Sequence, residues 1–172
     1  MGLFSDLKNR VLGMPTKSEV RQTLAQLRTS IANLYSSADK TDRECGTNFG
    51  YLIRLDLLMF SLHIANSDDR LDAREVEAIN YLLLADFSYE ECKRILDKNA
   101  DGIRYYTSNV PTTFEEIASS PDIPSDFLRM FVVVYAGIGT VISASDGEIS
   151  KSEEQDILDF TDMLTKRINN RR

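Results

Sequence analysis

Histidine is almost missing from this chain. The 172 residues include one, His63, so a site built on several imidazoles is excluded and a Ser-His-Asp triad is disfavoured from the start. Cysteine is nearly as scarce. Cys45 and Cys92 are the two present, and their spacing matches neither a metal motif nor a redox pair. No disulfide framework can be drawn from them, which points to a reducing, cytoplasmic setting. Basic charge is also short: 20 Lys and Arg stand against 27 Asp and Glu, a net charge of -7. Non-specific nucleic-acid binding needs clustered cations that displace counterions from phosphates, so it is not expected. Long apolar runs are absent as well. The longest uncharged stretch, Met130 to Ser145, is sixteen residues with Gly137 and Gly139 inside it, short of the roughly 20 that span a bilayer. It reads as a buried core helix. Residues 1–14 show no signal-peptide pattern, and Asp6 stands where myristoylation wants Ser or Thr.

What the chain does have is an internal repeat. Sliding His63–Leu82 by 78 positions onto Val141–Phe160 places Asp68 on Asp146, Leu71 on Ile149, Asp72 on Ser150, Glu75 on Glu153 and Ile79 on Ile157. Each copy reads as an apolar helix, a short acidic turn and an amphipathic helix. Two copies predict two pseudo-symmetric helical hairpins, over about 50–86 and 128–164. With 42% hydrophobic and 27% charged residues, the expected architecture is all-α, a single-domain bundle of seven or eight helices.

Taken in order, residues 1–16 form an N-terminal amphipathic segment, with Leu3, Phe4, Leu7 and Val11 on one face and Gly13 and Pro15 ending it. It would dock on the body or rest on a membrane surface. The domain proper then covers 17–172. Val20, Leu24, Leu27, Ile31 and Leu34 predict a helix over about 17–36, and the polar residues 37–48 a loop. Residues 49–66 are apolar nearly all round, interrupted only by Arg54, Asp56 and His63, so this helix belongs at the centre of the core. Further helices are expected over 73–86, 88–98, 113–120, 126–144 and 151–169. Ser88 with Glu91, and Thr113 with Glu116, carry the spacing of a capping box, and Ser125 is a candidate cap. Gly137 and Gly139 would let another helix come close. Lys166, Arg167, Arg171 and Arg172 suit the negative end of the last helix.

The acidic turns admit two readings. In one, Asp72 with Glu75 and Ser150 with Glu153 are helix caps, and Asp68 and Asp146 are turn residues. In the other, the carboxylates hold a hard divalent cation. An EF-hand is excluded, because Ile142 and Ala144, and upstream Ile64 and Asn66, stand where its first carboxylates belong. His63 reads as a packed histidine. No nucleophile, phosphate loop or His–acid pair is expected beside the acids.

The ASDGEIS turn followed by Glu153, with its upstream copy ANSDDRLDAREVE, resembles the tellurite-resistance TerB-like family, which also includes the N-terminal region of a membrane-anchored DnaJ-type co-chaperone. The resemblance covers about residues 50–165. It implies an all-helical fold in two related halves and a non-catalytic interaction module in bacterial stress or tellurite response. Carried over position by position, it implies a divalent cation (calcium, magnesium or zinc) at Asp68, Asp72, Glu75, Asp146, Glu148 and Glu153. Asp69-Arg70 departs from the pattern, which usually has Gly-Glu there. The implied partners are proteins, a second copy of the chain among them, and not nucleic acid. The alternatives are a metal-dependent hydrolase-like enzyme using the same acids, and a peripheral membrane adaptor acting through residues 1–12.

Overall fold

The computed structural model describes residues 17–145 and 149–171, apart from the side chains of 17–21 and 106. The segment over 1–16, Gly147 and the candidates Asp146 and Glu148 lie outside the described residues. Among those described there are seven helices and no strand: α1 Lys17–Cys45, α2 Phe49–Ala65, α3 Ala73–Leu83, α4 Tyr89–Ser108, α5 Thr112–Ser119, α6 Ser125–Ser143 and α7 Lys151–Asn169. All seven contribute to one buried apolar cluster.

The expected centre holds. Leu57, Leu62 and Ile64 of α2 are fully buried, and every residue of α6 from Val134 to Ser143 is buried. An aromatic trio links the two hairpins: Phe60 of α2, Tyr135 of α6 and Phe160 of α7, with ring centroids 4.6 to 5.1 Å apart. Edge-on and offset rings at this range add to the burial of their area. The hairpin repeat survives in the backbone. Ala65 and Ser143 end the first helices, Ala73 and Lys151 begin the second, and each pair is 78 positions apart. The two glycines act as expected. A Cβ at Gly137 would lie 2.9 Å from Leu27 Cδ1, and one at Gly139 would lie 2.6 Å from Ile157 Cγ1. Bare backbone is therefore what lets α1 and α7 close on α6.

Several local expectations are corrected. The stretch 37–45 is not a loop; α1 runs on to Cys45. Tyr35 and Ala38 are buried, and two of the polar residues, Asp39 and Asp42, meet α2. Asp39 binds Arg54 through two 2.8 Å bonds. The Asp42 carboxylate accepts the N–H groups of Phe49 and Gly50 at 2.6 and 2.7 Å, satisfying donors that the first turn of α2 leaves free. Gly46, at φ +67°, ends α1. Helix α4 passes its expected end and reaches Ser108 through one non-helical residue, Asn99; buried Ile103 anchors the second part. Neither the box expected at Thr113 and Glu116 nor the cap at Ser125 forms. Helices α5 and α6 start one residue earlier, after Pro111 and Pro124, with no side-chain cap. The basic end of α7 does more than complement a dipole: Arg167 binds Glu115 of α5 at 2.6 and 2.7 Å, and Arg171 donates to the carbonyls of Ser120 and Ile123.

Candidate functional site

The four described candidates, Asp68, Asp72, Glu75 and Glu153, each accept a backbone N–H. Asp72 caps α3 and accepts the Arg74 N–H at 2.8 Å, while Glu75 reaches back to the Asp72 N–H at 2.6 Å. Ser150 caps α7: the Glu153 N–H donates to Ser150 Oγ at 3.2 Å, and the Ser150 N–H to Glu153 Oε2 at 2.7 Å. Both glutamates are buried. Asp68 accepts the Arg70 N–H at 3.0 Å in a tight turn. Asp69, aligned with Gly147, takes φ +62°, a left-handed conformation that Asp tolerates better than most residues. The Arg74 guanidinium beside Asp72 holds its carboxyl below the usual range. No three His, Cys, Asp or Glu side chains among the described residues gather round one point as metal ligands would. Asp72, Glu75 and Glu153 each accept a backbone N–H at the start of their own helix, and Asp68 accepts one within the turn.

The structure does supply a His–acid pair, which the sequence does not lead one to expect. His63 Nε2, at the end of α2, lies 3.4 Å from Asp156 Oδ2 on α7. Ser67, in the first acidic turn, donates to the same Asp156 oxygen at 2.5 Å. Burial lowers the His63 pKa and the Asp156 charge opposes that shift. Serine and histidine converge on the carboxylate, and the serine hydroxyl is bound to the acid and not to the imidazole. This is a clasp between the two hairpins and not a nucleophile–base relay. Besides Glu75 and Glu153, a third acid, Asp56, is buried, inside the core with Thr113 of α5 as its hydrogen-bond partner; burial pushes it up to about 6.

A third feature, unforeseen from sequence, is a surface groove of about 700 Å³ between α1, α2 and the α3–α4 turn. Its floor is apolar, with Leu55, Leu58, Leu83 and Phe87, and its rim carries Tyr51, Asp39, Arg43 and Arg54. Tyr35 lies under the Arg54 guanidinium, 4.4 Å from ring centroid to Cζ, and burial pushes its hydroxyl up to about 12. Leu84 stands at the edge. It is 46% exposed, with φ 56° and ψ 40°, a left-handed backbone that costs a non-glycine residue about 1 kcal/mol or more. The turn that displays it is clamped: Asn80 donates to the Phe87 carbonyl at 2.7 Å and accepts the Phe87 N–H at 2.8 Å. The groove contains none of the six acidic candidates.

Comparison of the chain with models of protein families, with curated proteins and with solved structures finds no match in any of the three.

Proposed function

We propose that this chain is a non-catalytic, all-helical interaction module that binds a protein partner in the groove beside Leu84. The observation that carries the reading is Leu84 itself. A large apolar side chain is held in the open, at a strained backbone position, by a turn rigidified through Asn80. The left-handed backbone there closes α3, but closing a helix does not require a large exposed apolar side chain, and strained positions concentrate where a surface has work to do. The mix around it, aliphatic floor with tyrosine and arginine at the rim, is that of energetically dominant interface patches. The TerB-like resemblance supports the same class of role, in a bacterial cytoplasmic stress response.

The test uses a photo-crosslinking residue placed in turn at positions 51, 84 and 105. Tyr105 is exposed and is not a groove residue. Capture of the same protein at 51 and 84 but not at 105, lost when Leu84→Asp is introduced in the 51 variant, supports the reading. Capture indifferent to the groove positions refutes it.

A second reading places a calcium, magnesium or zinc ion at the acidic turns, centred on Asp146 and Glu148. One observation favours it. The hydroxyls of Ser143 and Ser145, where α6 runs into that turn, are buried with no hydrogen-bond partner among the described residues, and a buried polar group of this kind gains from a ligand. An ion there would draw the carboxylates together and set the angle between α6 and α7.

A further inference from the structure

The groove continues past Leu84 and Ala32 into a shallower depression bounded by Ala25, Arg28 and Tyr81. Three of the large hydrophobic side chains most open to solvent, Tyr51, Tyr81 and Leu84, stand along this one channel. The stretch of α1 that lines it, Ala25 to Arg43, spans about 27 Å at 1.5 Å per residue. That is the length of a five-turn helix. Helices form its walls, and among the described residues there is no strand edge for an extended peptide to join.

The charge in the channel is opposite to that of the chain. Its ionisable carboxylate and guanidinium groups are Asp39, Arg28, Arg43 and Arg54, a surplus of cations on a protein of net charge -7. Asp39 is taken by Arg54 through a two-bond pair. Arg43 has that same carboxylate as its neighbour, and Arg28 lies over the Tyr81 ring with Cζ 4.8 Å from the centroid. Neither Arg28 nor Arg43 has an ion pair of its own among the described residues. A guanidinium stacked on a ring keeps its N–H edge free and oriented, ready for a carboxylate. The acids elsewhere on the surface matter less at contact range, since charges farther than about 8 Å are screened at physiological ionic strength.

Resting on the interaction-module reading above, we propose that the channel binds an amphipathic helix with an acidic outer face, its apolar side on Leu55, Leu58 and Leu84 and its carboxylates on Arg28 and Arg43. The probes are two fluorescein-labelled synthetic peptides of 18 residues, each with leucines at helical spacing on one face. One carries Glu at the remaining positions, the other Lys. Binding to the intact protein is read by fluorescence anisotropy. The expected result is at least tenfold tighter binding of the Glu peptide, with the preference reversed in an Arg28→Glu, Arg43→Glu double variant and both peptides weakened by Leu84→Asp. Circular dichroism confirms that each variant is folded. Equal binding, or tighter binding of the Lys peptide, with Leu84→Asp still weakening both, overturns the acidic partner and leaves the groove a protein-binding surface. Failure of both peptides also overturns the proposal, while groove-dependent crosslinking decides the broader reading separately.

Discussion

Adding one methyl group at two glycines of α6 should have opposite consequences. Gly→Ala in a helix interior gains about 1 kcal/mol from propensity alone. At Gly139 the new Cβ would sit 2.6 Å from Ile157 Cγ1, 2.9 Å from its Cδ1 and 3.4 Å from its Cγ2. Ile157 is fully buried, so the whole side chain blocks the methyl and has nowhere to turn. Overpacking of this kind costs about 1–3 kcal/mol, and the upper part of that range applies because the overlap is deep. Gly139→Ala should therefore destabilise by roughly 1–2 kcal/mol net. At Gly137 the obstacles are Leu27 Cδ1 and Cδ2, at 2.9 and 3.1 Å. Those are the far atoms of a flexible side chain only partly buried, which can swing aside. Gly137→Ala should be neutral, or stabilising by up to about 1 kcal/mol. Urea unfolding followed by circular dichroism measures both, with an unchanged slope as the check that the denatured state is comparable. Placing Gly139→Ala in an Ile157→Ala background should remove most of its cost, a coupling of about 1–2 kcal/mol. A Gly139→Ala protein as stable as the parent, or a Gly137→Ala protein that is the weaker of the two, would refute the close approach of α7 to α6.

Three other outcomes follow from the buried acids, the histidine and the caps. The Asp56 carboxyl is raised to about 6 in the folded state against about 4 when exposed, so the unfolded chain releases its proton first and stability falls as pH rises through that window; Asp56→Asn should gain about 3 kcal/mol on the parent at pH 7, and a difference independent of pH in paired unfolding curves would contradict this. His63 should titrate below 6.5, because burial outweighs the pull of Asp156, and lower still in Asp156→Asn; since the folded pKa is depressed, its contribution to stability is present above 6.5 and is lost as pH falls below it. The chain has one histidine, so a proton NMR titration needs no assignment, and a midpoint at or above 6.5 would overturn the balance of effects. Asp72→Ala should cost about 1 kcal/mol as a lost cap, equally in metal-free protein and with calcium, magnesium or zinc added. If calorimetry instead shows an ion binding that both Asp72→Ala and Asp146→Ala abolish, the capping account of the first turn is wrong.

The repeat is legible in the sequence because its signals are local. Capping boxes at Asp72–Glu75, Ser88–Glu91 and Ser150–Glu153 act within four residues, and all three form. The glycines of α6 are legible because glycine weakens a helix interior by about 1 kcal/mol against alanine, a loss that close helix packing offsets. The end of α1 is not legible in this way. Residues 37–45 look like a loop by composition, and they are helical because Asp39 and Asp42 find Arg54 and the start of α2 across the hairpin. Thr113 and Glu116 have the spacing of a capping box, yet Thr113 is buried beside Asp56, so a tertiary contact overrides the local one. The groove has no sequence signature at all, since its lining is drawn from separate stretches of chain.

The three polar residues that interrupt α2 mark the division most clearly. From sequence, Arg54, Asp56 and His63 are breaks in an apolar helix, and that much places the helix in the core. In the folded chain each meets a different helix: Arg54 pairs with Asp39 of α1, Asp56 with Thr113 of α5, and His63 with Asp156 of α7. Periodicity and capping determine which segments are helices and which faces are buried, because both act over a few residues. Which side chains of distant segments become neighbours is decided by how the helices pack, and so the groove, the clasp and the buried acid belong to the tertiary structure alone.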